Sequence, residues 1–292
     1  MENFIGLLFN TQKIEAINMA LKLFNWGKQN GINFILPPHE ASVLDLPKTP
    51  DKEWKEKSMF AVVLGGDGTF LRAARYTFGY NIPLYGINLG RLGFLAVGSP
   101  NSAKEDILTI LNKEYTLQRR YLLKGNVKRD GHIVYDLKAL NDLVISKDDI
   151  ARIIELEVNV GDEFLSFFLG DGLIISTPTG STAYALSAGG PIIPPHVPCM
   201  LLAPICAHTL YTRPVVLSAN DTIYISPKGD TRSLVLTQDG QLGYELLHND
   251  KIEVTFDKNT YIETIEIKNR SYYDLLRDKL RWGFNGISYG GD

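Results

Sequence analysis

The feature that most constrains this 292-residue chain is a strand-to-helix turn that contains three glycines. The apolar run Phe60–Val63 predicts a buried strand, and Leu64–Thr69 continues it with the sequence Leu-Gly-Gly-Asp-Gly-Thr. A helix is predicted to begin at Phe70. Glycines in such a turn let the backbone approach a phosphate closely, and the positive end of the helix dipole adds to the attraction. The turn therefore predicts a phosphate site within an α/β fold.

The carboxylate in the middle of this turn, Asp67, needs a separate reason, because it would repel a phosphate. One reason is a divalent cation between the two groups. Another is a base that takes a proton from a hydroxyl attacking a phosphoryl group. The alternative without function is a tight Gly-Asp-Gly turn after a buried strand, since short motifs also occur by chance.

The composition is that of a soluble globular protein, and the length is sufficient for two domains with cores. The net charge is −3 and there is no long basic block, which argues against nucleic acid as a partner. The N-terminal region lacks the features of a signal peptide, and no membrane association is expected. Cys199 and Cys206 lack metal-binding spacing, so we expect two reduced, buried thiols in a cytoplasmic protein.

Strand and helix patterns alternate along the first part of the chain, which predicts an open, mostly parallel sheet with helices on both faces. The charged stretch Thr49–Ser58 is expected to lie on the surface. Ser102 and Glu105 predict a capping box ahead of a helix over Asp106–Asn112. The remaining predictions are strands at Phe4–Phe9, Asn33–Leu36, Phe60–Leu64 and Ile82–Ile87, and a helix at Gln12–Gln29 with Ile14, Ile17, Leu21 and Phe24 on its apolar face.

The pattern changes near Leu117 to short strands with turn signals, which predicts an antiparallel, β-sandwich-like domain. The segment Tyr272–Trp282 is helical in pattern and is expected to return to the first domain. We therefore expect an α/β domain at residues 1–117 and 269–292 and an all-β domain, which binds the dinucleotide, at residues 118–268.

A second unusual region extends from Gly172 to Thr212 without any Asp, Glu, Lys or Arg. Its prolines exclude a membrane helix. It is rich in hydroxyl and small residues around Tyr184, which favours the wall of a pocket for a polar ligand. A solvated turn is the alternative for the Ser/Thr-rich loop. His208, in this neutral region, is expected to be a buried core residue.

These motifs together resemble bacterial NAD kinases, and the resemblance covers nearly the whole chain. The glycine turn alone also occurs in lipid kinases, whereas the long hydroxyl-rich stretch is much more specific. The matching segments, in order, are Gly65–Thr69, Asn88–Leu95, Asn141-Asp142, Asp171–Pro191, Pro204–Leu210, Arg213-Pro214, Asp239–Gln241 and Leu276–Leu280.

The resemblance implies a phosphotransferase that moves the terminal phosphoryl group of ATP, or of polyphosphate, to the 2′-hydroxyl of the adenosine ribose of NAD. The product is NADP. Asp67 would be the general base, and Gly66 and Gly68 would hold the backbone near the phosphates. A divalent cation, Mg²⁺ by preference, would accompany the phosphoryl donor, and no tightly bound structural metal is expected.

The resemblance also assigns a dinucleotide site. Phe94 would contact the adenine, Asn141 and Asp142 the ribose hydroxyls, and Asp171 the nicotinamide amide. Relatives often have Glu where this chain has Asp142, and Arg where it has Leu169. The other candidates for the site are Arg152, Thr182, Ala183, Tyr184, Ala185, Leu186, Ser187 and Gln241.

Two alternatives to an NAD kinase remain at the level of the sequence. The first is a lipid kinase with the same glycine turn, and the second is an NAD(P) sensor without catalytic activity. Asp67 argues against the sensor, because a protein that only binds needs no base in a phosphate loop. The resemblance further implies a homodimer or homotetramer. It does not decide whether the acceptor is NAD or NADH, or whether the phosphoryl donor is ATP or polyphosphate.

Overall fold

The structure is a computed structural model that describes residues 4–147, 153–228, 234–247, 249–267 and 271–282. The helices are α1 (Ile14–Gln29), α2 (Pro38–Leu44), α3 (Asp51–Lys57), α4 (Asp67–Thr77), α5 (Ala103–Leu111), α6 (Tyr184–Ser187) and α7 (Tyr272–Leu280). The strands are β1 (Phe4–Phe9), β2 (Asn33–Ile35), β3 (Ser58–Gly65), β4 (Leu84–Asn88), β5 (Tyr115–Arg129), β6 (His132–Ala139), β7 (Asp142–Lys147), β8 (Ile154–Val160), β9 (Glu163–Gly170), β10 (Gly172–Ser176), β11 (Cys199–Ile205), β12 (Val215–Ser218), β13 (Thr222–Lys228), β14 (Leu234–Gln238), β15 (Leu242–Leu246) and β16 (Lys251–Ile267).

The chain divides into two compact units. The first unit consists of residues up to Gln118 and from Glu263 onward, and the second unit is Arg119–Ile262. In the first unit, β2, β1, β3 and β4 pair in that order, all parallel, and Thr264 of β16 pairs in parallel with Leu84. The expected parallel α/β architecture is therefore confirmed.

The second unit is a β-sandwich, as expected. One of its sheets runs β9–β8–β13–β16, with β5 paired to β16 and β6 paired to β5. The other runs β12–β11–β10–β7–β14–β15 and is antiparallel throughout. Alternate residues of both sheets point inward and form one buried apolar core, because side chains on a strand alternate between its two faces.

Helix α1 lies within the predicted range, but its buried face differs from the predicted one. Ile14 is 62% exposed, whereas Ala16, Ala20, Leu23 and Gly27 are buried. A Cβ on Gly27 would lie 2.6 Å from the ring of Phe34. Small residues at three of these four positions therefore allow the helix to approach its neighbours, while Ile14 stays outside the contact.

Two further predictions in the first unit are wrong. The expected surface segment Thr49–Ser58 contains helix α3, whose Trp54 is fully buried and donates from Nε1 to the carbonyl of Ile35 at 2.9 Å. Helix α5 has no capping box, because the Ser102 hydroxyl donates to the Asp106 carboxylate at 2.8 Å instead of capping a backbone amide.

The C-terminal helix α7 belongs to the first unit, as the sequence pattern predicted. It begins with a capping box in which Ser271 accepts from the amide of Asp274 at 3.1 Å. Leu275 and Leu276 are buried. Lys279 donates from Nζ to the carbonyl of Leu92, so this helix contacts the loop that follows β4.

Candidate functional site

The glycine turn joins β3 to α4, and each of its glycines has a distinct environment. A Cβ on Gly65 would lie 2.4 Å from the hydroxyl of Thr69, so packing inside the turn requires this glycine. A Cβ on Gly66 would meet no atom within 4 Å, and Gly68 is exposed. The backbone at Gly66 is therefore open to a ligand, and glycine is not needed there for packing.

Helix α4 begins at Asp67, three residues before the predicted start at Phe70. The reason is that the amides of both Thr69 and Phe70 donate to the carbonyl of Gly66, at 3.0 and 3.1 Å. Asp67 therefore occupies the first helical position instead of the middle of a loop. A carboxylate in the first turn of a helix is stabilised by the helix dipole.

Three successive backbone amides hold the Asp67 carboxylate. Oδ2 accepts from the amide of Phe94 at 2.8 Å, and Oδ1 accepts from those of Leu95 and Ala96 at 3.0 and 3.2 Å. A Cβ on Gly93 would lie 2.0 Å from Oδ1, so only glycine leaves room for the carboxylate there. The carboxylate is fixed by groups 27 to 29 residues away in the chain.

The loop that supplies these amides follows the neighbouring strand β4. Asn88 closes it at the start: its side chain accepts from the amide of Gly90 at 2.8 Å and donates to the carbonyl of Arg91 at 2.7 Å. The half-buried Phe94 has the Lys279 ammonium 5.7 Å from its ring centroid. Both loops lie at the carboxyl ends of parallel strands, where open α/β sheets bind ligands.

In the second unit, Asp239 holds three successive amides in a similar way. Its carboxylate accepts from the amides of Leu140, Asn141 and Asp142 at 3.2, 2.7 and 3.3 Å. Asp239 and Gly240 have φ angles of 51° and 60°, which form the hairpin turn between β14 and β15. Asp239 therefore fixes the backbone of the predicted Asn141-Asp142 pair.

Asp142 is a buried carboxyl group, only 4% exposed. Burial, and to a lesser extent the nearby charge of Asp239, raises the pKa of Asp142 to about 7. Its side chain can therefore be neutral or ionised near physiological pH, and it can donate or accept a hydrogen bond. A group of this kind suits contact with hydroxyl groups.

The hydroxyls of the charge-free region are mostly used inside the protein, contrary to the expected pocket wall. Ser176 donates to the carbonyl of Asn141 at 3.1 Å, and Thr177 to that of Leu140 at 2.6 Å. Ser181 accepts from the amide of Ile193 at 2.9 Å. All three hydroxyl residues are buried. They hold the turn after β10 against the Asn141 loop and are not available as a ligand wall.

The predicted stretch Thr182–Ser187 presents only part of its side chains to solvent. Tyr184 is 46% exposed and Ser187 is also exposed, whereas Ala185 is fully buried in a core with Val144 and Ile174. The Ala185 carbonyl accepts from the amide of Gly190 at 2.8 Å, so neither its side chain nor its carbonyl is directed to a ligand. Thr182, Ala183 and Leu186 are partly buried.

Asp171 lies in a cluster of polar side chains formed by Lys147, Cys206 and His208. The Lys147 ammonium donates to Asp171 Oδ1 at 2.6 Å and holds the pKa of that carboxyl below its usual range. The Cys206 thiol also donates to the carboxylate and lowers its pKa further. The charge of His208 acts in the same direction. Burial raises the pKa of the Tyr184 hydroxyl, and the nearby carboxylates of Asp171 and Asp142 add to this. Tyr184, Asp171 and Asp142 therefore share one neighbourhood.

The structure also shows where other residues named in the sequence analysis lie. His208 is exposed, so the expectation of a buried histidine is wrong. Cys199 is buried as expected, but Cys206 is exposed, because it lies in the turn after β11 and not in the core. Leu169, where relatives often have Arg, is 37% exposed. Gln241 is exposed on the hairpin turn, and its amide donates to the carbonyl of Gln238 at 3.0 Å. Arg152 lies outside the described residues.

Sequence reasoning placed Gly93, Cys206 and Asp239 in segments that match the family, but it gave none of them a role in these groups. Gly93 has a signal in the sequence, because two glycines at Gly90 and Gly93 follow a strand. Cys206 has a left-handed backbone, with φ of 45°, and its thiol contacts Asp171. Nothing in the local sequence indicates that conformation.

Neither a metal centre nor a membrane helix is found where the structure describes the chain. No group of three or more His, Cys, Asp or Glu residues in the described ranges could hold a metal ion. No helix in those ranges combines the length and the apolar character needed to cross a membrane.

An α/β unit with a glycine turn and an anchored aspartate, together with a β-sandwich unit, is the architecture of a nucleotide-dependent phosphotransferase. Two family models match the chain: the ATP-NAD kinase N-terminal domain over residues 5–115 and the ATP-NAD kinase C-terminal domain over residues 140–265. The chain therefore belongs to the NAD kinase family, as the sequence motifs predicted.

Individual relatives agree with this assignment. The chain is 47% identical to the NAD kinase of Hydrogenovibrio crunogenus over 97% of its own length and 99% of that protein. Its fold is similar to yeast NADH kinase complexed with NADH, with a TM-score of 0.88 and 24% identity over 99% of this chain and 90% of that one. The fold is also similar to an NAD kinase from Archaeoglobus fulgidus in complex with ATP. The TM-score is 0.74 and the identity is 23%, over 95% of this chain and 98% of that one.

Proposed function

We propose that this protein transfers the terminal phosphoryl group of ATP to the 2′-hydroxyl of the adenosine ribose of NAD and so forms NADP. The observation that carries the proposal is the Asp67 carboxylate, fixed by three amides at the start of α4 beside the open backbone of Gly66. Family membership supplies the substrate class. Polyphosphate is a second donor to be tested, because it presents the same terminal group.

Asp67 is the proposed general base. Its Oδ1 accepts two amide hydrogen bonds and its Oδ2 only one of the three. A carboxylate oxygen has two lone pairs, so Oδ2 keeps room for a further donor. We assign this atom to the ribose hydroxyl: it orients the hydroxyl and receives its proton as the oxygen attacks the phosphoryl group. The phosphoryl group leaves the donor and forms a bond to that oxygen.

The phosphate groups of the donor are proposed to lie over Gly66 and Gly68. Free space at Gly66 and the positive end of α4 favour an anion there. The described residues hold no cluster of metal-binding side chains, and the free lone pair of Asp67 Oδ2 is already assigned to the ribose hydroxyl. A Mg²⁺ ion would therefore be bound mainly by phosphate oxygens, and it would neutralise their charge.

The second unit is proposed to bind the dinucleotide, through Asn141 and Asp142 at a ribose and Asp171 at the nicotinamide amide. Asp171 Oδ1 is paired with Lys147, and the Cys206 thiol also donates to this carboxylate. We assign the amide group to a remaining lone pair of Oδ2. Tyr184 stacks on a ring of the ligand in this proposal, supported by its exposed position near both carboxyls. Phe94, in the first unit, is assigned to the adenine.

The test is NADP formation by the purified protein with NAD, ATP and Mg²⁺, compared with Asp67→Asn. We expect turnover to fall by roughly 10²–10⁴, the usual contribution of a general base, because an amide cannot accept the proton. The Asn side chain also leaves at least one of the three amides without an acceptor, so we expect the variant to be less stable by roughly 1–3 kcal/mol. NAD binding by the folded variant, measured by calorimetry, should stay within about threefold, a change worth under 1 kcal/mol. Near-normal turnover in the variant would remove Asp67 as the base.

The matched control for this experiment is Asp130→Asn, because Asp130 lies in an exposed hairpin turn of the second unit. Its turnover should equal that of the unmodified protein. NADH and polyphosphate are tested in parallel with NAD and ATP, and the ratios of kcat/KM give the preferences. Binding of NAD without transfer from any donor would favour a sensor.

A homo-oligomer is proposed as the working form. Strand β9 pairs only with β8 among the described strands, so its outer edge has no strand partner. One end of this edge is covered, because the carbonyl of Leu169 accepts from the amide of His208 at 2.9 Å. This edge exposes an aromatic pair, Phe164 and Phe167, which are 57% and 46% exposed with ring centroids 5.0 Å apart. An unpaired edge with exposed aromatic rings favours association with a second copy. The cytoplasm is the proposed location, supported by the two free thiols.

A further inference from the structure

The second unit contains a cavity of about 560 Å³ whose lining includes none of the residues proposed for the dinucleotide. Three lysines from three strands line it: Lys124 of β5, Lys138 of β6 and Lys258 of β16. Asp221 and Asp257 also line it, so the ionised groups leave a net charge of +1. We refer to it as the lysine cavity.

Two of these lysines face each other across a pair of antiparallel strands. Lys124 is directly opposite Lys138 in the register of β5 and β6. Directly opposite residues share one face of the sheet, and like charges at such positions destabilise it. A bound anion between the two ammonium groups would remove this repulsion.

The two aspartates of the lysine cavity do not neutralise the lysines directly. The Asp257 carboxylate accepts from the amides of Asn259 and Thr260, both at 3.0 Å. The Asp221 carboxylate accepts from the amide of Ser218 at 2.9 Å. Both carboxylates therefore close their own turns.

The ammonium groups contact only neutral side-chain oxygens in the described part of the chain. Lys138 Nζ lies 3.4 Å from the hydroxyl of Thr260, and Lys258 Nζ donates to the side-chain carbonyl of Asn220. None of the three lysines, Lys124 included, forms an ion pair with a carboxylate among the described residues. The cavity thus collects positive charge without a direct ion pair. Asp257 acts on Lys138 only through the electric field, and the charge of Lys138 is one of the smaller causes that lower the pKa of Asp257.

We propose that the lysine cavity binds a phosphate-type anion, distinct from the phosphates transferred at Asp67. Lysine is a common phosphate ligand as a compact point charge, and Asn220 and the Thr260 hydroxyl add polar contacts. The volume is within the range of pockets that hold small molecules, so the cavity accommodates a short chain of linked phosphates as well as a single one. The ligand class is therefore a phosphoryl oxyanion, free or linked.

The cavity is connected to the dinucleotide residues through the backbone of β6. The carbonyl of Lys138 accepts from the side-chain amide of Gln238 at 2.7 Å, and the next residue, Asp239, holds the Leu140–Asp142 amides. An anion that orders Lys138 would therefore also order the backbone two residues before Leu140. We expect it to lower the KM for NAD and to leave kcat unchanged.

The experiment is lysine footprinting by acetylation and mass spectrometry, which requires no catalytic activity. The protein is treated with inorganic phosphate, with tripolyphosphate or with chloride at equal ionic strength. We expect acetylation of Lys124 and Lys138 to fall at least threefold with one or both phosphates relative to chloride. Lys22, an exposed lysine of α1, is the internal control and should not change.

Protection by both anions supports a site for any phosphoryl oxyanion, and protection by tripolyphosphate alone supports a site for linked phosphates. Equal acetylation in phosphates and chloride would overturn the proposal. So would an equal loss of reactivity at Lys22, since this would indicate general screening. Because the readout is located at the lysines, its failure is separate from any failure of NADP formation.

A second measurement uses Lys124→Gln, which removes one of the two facing charges. Tripolyphosphate should raise the melting temperature of the unmodified protein more than that of the variant. Without phosphate, the variant should be at least as stable as the unmodified protein, because a like-charge pair is gone. A variant that is destabilised without phosphate, and that responds to tripolyphosphate as the unmodified protein does, would contradict the proposal.

Discussion

At the scale of single residues, two aspartates perform the same structural task in the two units. Asp67 accepts the amides of Phe94–Ala96, and Asp239 accepts those of Leu140–Asp142. Three successive N–H groups that point to one carboxylate form an anion-binding concavity of the backbone. In one unit the carboxylate so fixed is the proposed base. In the other, it fixes a backbone that bears candidate ligand contacts.

Asp239→Asn should destabilise the protein by roughly 1–3 kcal/mol, because the amide nitrogen that replaces an oxygen cannot accept a backbone N–H. At least one of the three amides then loses its partner. The KM for NAD should rise, since the backbone of Asn141 and Asp142 is no longer fixed. Urea denaturation and initial-rate kinetics measure the two effects. The exposed Asp130→Asn should show neither, and an Asp239 variant that behaved like it would refute the anchoring role.

Asp142→Asn tests the buried carboxyl whose pKa is raised to about 7. Because the folded protein holds this proton more tightly than the unfolded chain, the free energy of unfolding falls as the pH rises from about 4 to 7. The neutral variant lacks this loss. Between these pH values, the free energy of unfolding of the variant should therefore rise, relative to that of the unmodified protein, by up to roughly 2–4 kcal/mol. Denaturation at pH 4.5 and pH 8 measures the difference, and a difference that is independent of pH would contradict a raised pKa.

At the scale of elements, the strand, the glycine turn and the helix around Asp67 were predictable, because buried strands and glycine turns have local signals. The start of α4 was not, since it depends on hydrogen bonds to the Gly66 carbonyl. The buried Trp54 was not either, because its burial depends on contacts with other elements. The anchoring of Asp67 joins residues 27 to 29 positions apart, and no local pattern contains that information.

Two glycines of the site allow matched substitutions with opposite structural effects. A methyl group on Gly66 meets no atom within 4 Å, whereas one on Gly93 would lie 2.0 Å from Asp67 Oδ1. Gly66→Ala should keep its stability within about 0.5 kcal/mol and lose about tenfold or more in kcat/KM, because the methyl occupies the proposed phosphate space. Gly93→Ala should lose both stability and activity. Full activity in the Gly66 variant would exclude close approach of the donor at that position.

At the scale of the whole molecule, each unit contributes one kind of group to the proposed reaction. In the proposal, the base Asp67 belongs to the parallel unit, and the ligand contacts Asp142, Asp171 and Tyr184 belong to the β-sandwich unit. The fold class and the family were predictable from the order of the motifs along the chain. The roles of individual site residues and the domain boundaries at 117 and 269 stay predictions. The lysine cavity was not predictable, because it brings Lys258 of β16 close to the β5–β6 hairpin, which is far away in the sequence.

The association of copies through β9 is a property of the whole molecule and can be tested by one substitution. Phe167→Lys places a charge on the exposed edge, where it disfavours pairing with a second copy. We expect light scattering after gel filtration to give a smaller assembly for this variant than for the unmodified protein. Ile133→Lys is the matched control, because Ile133 is 58% exposed on β6 and away from that edge. If the Phe167 variant keeps the full mass while the protein is oligomeric, the contact lies elsewhere on the surface. If the unmodified protein is a monomer at all concentrations, the proposed homo-oligomer is wrong.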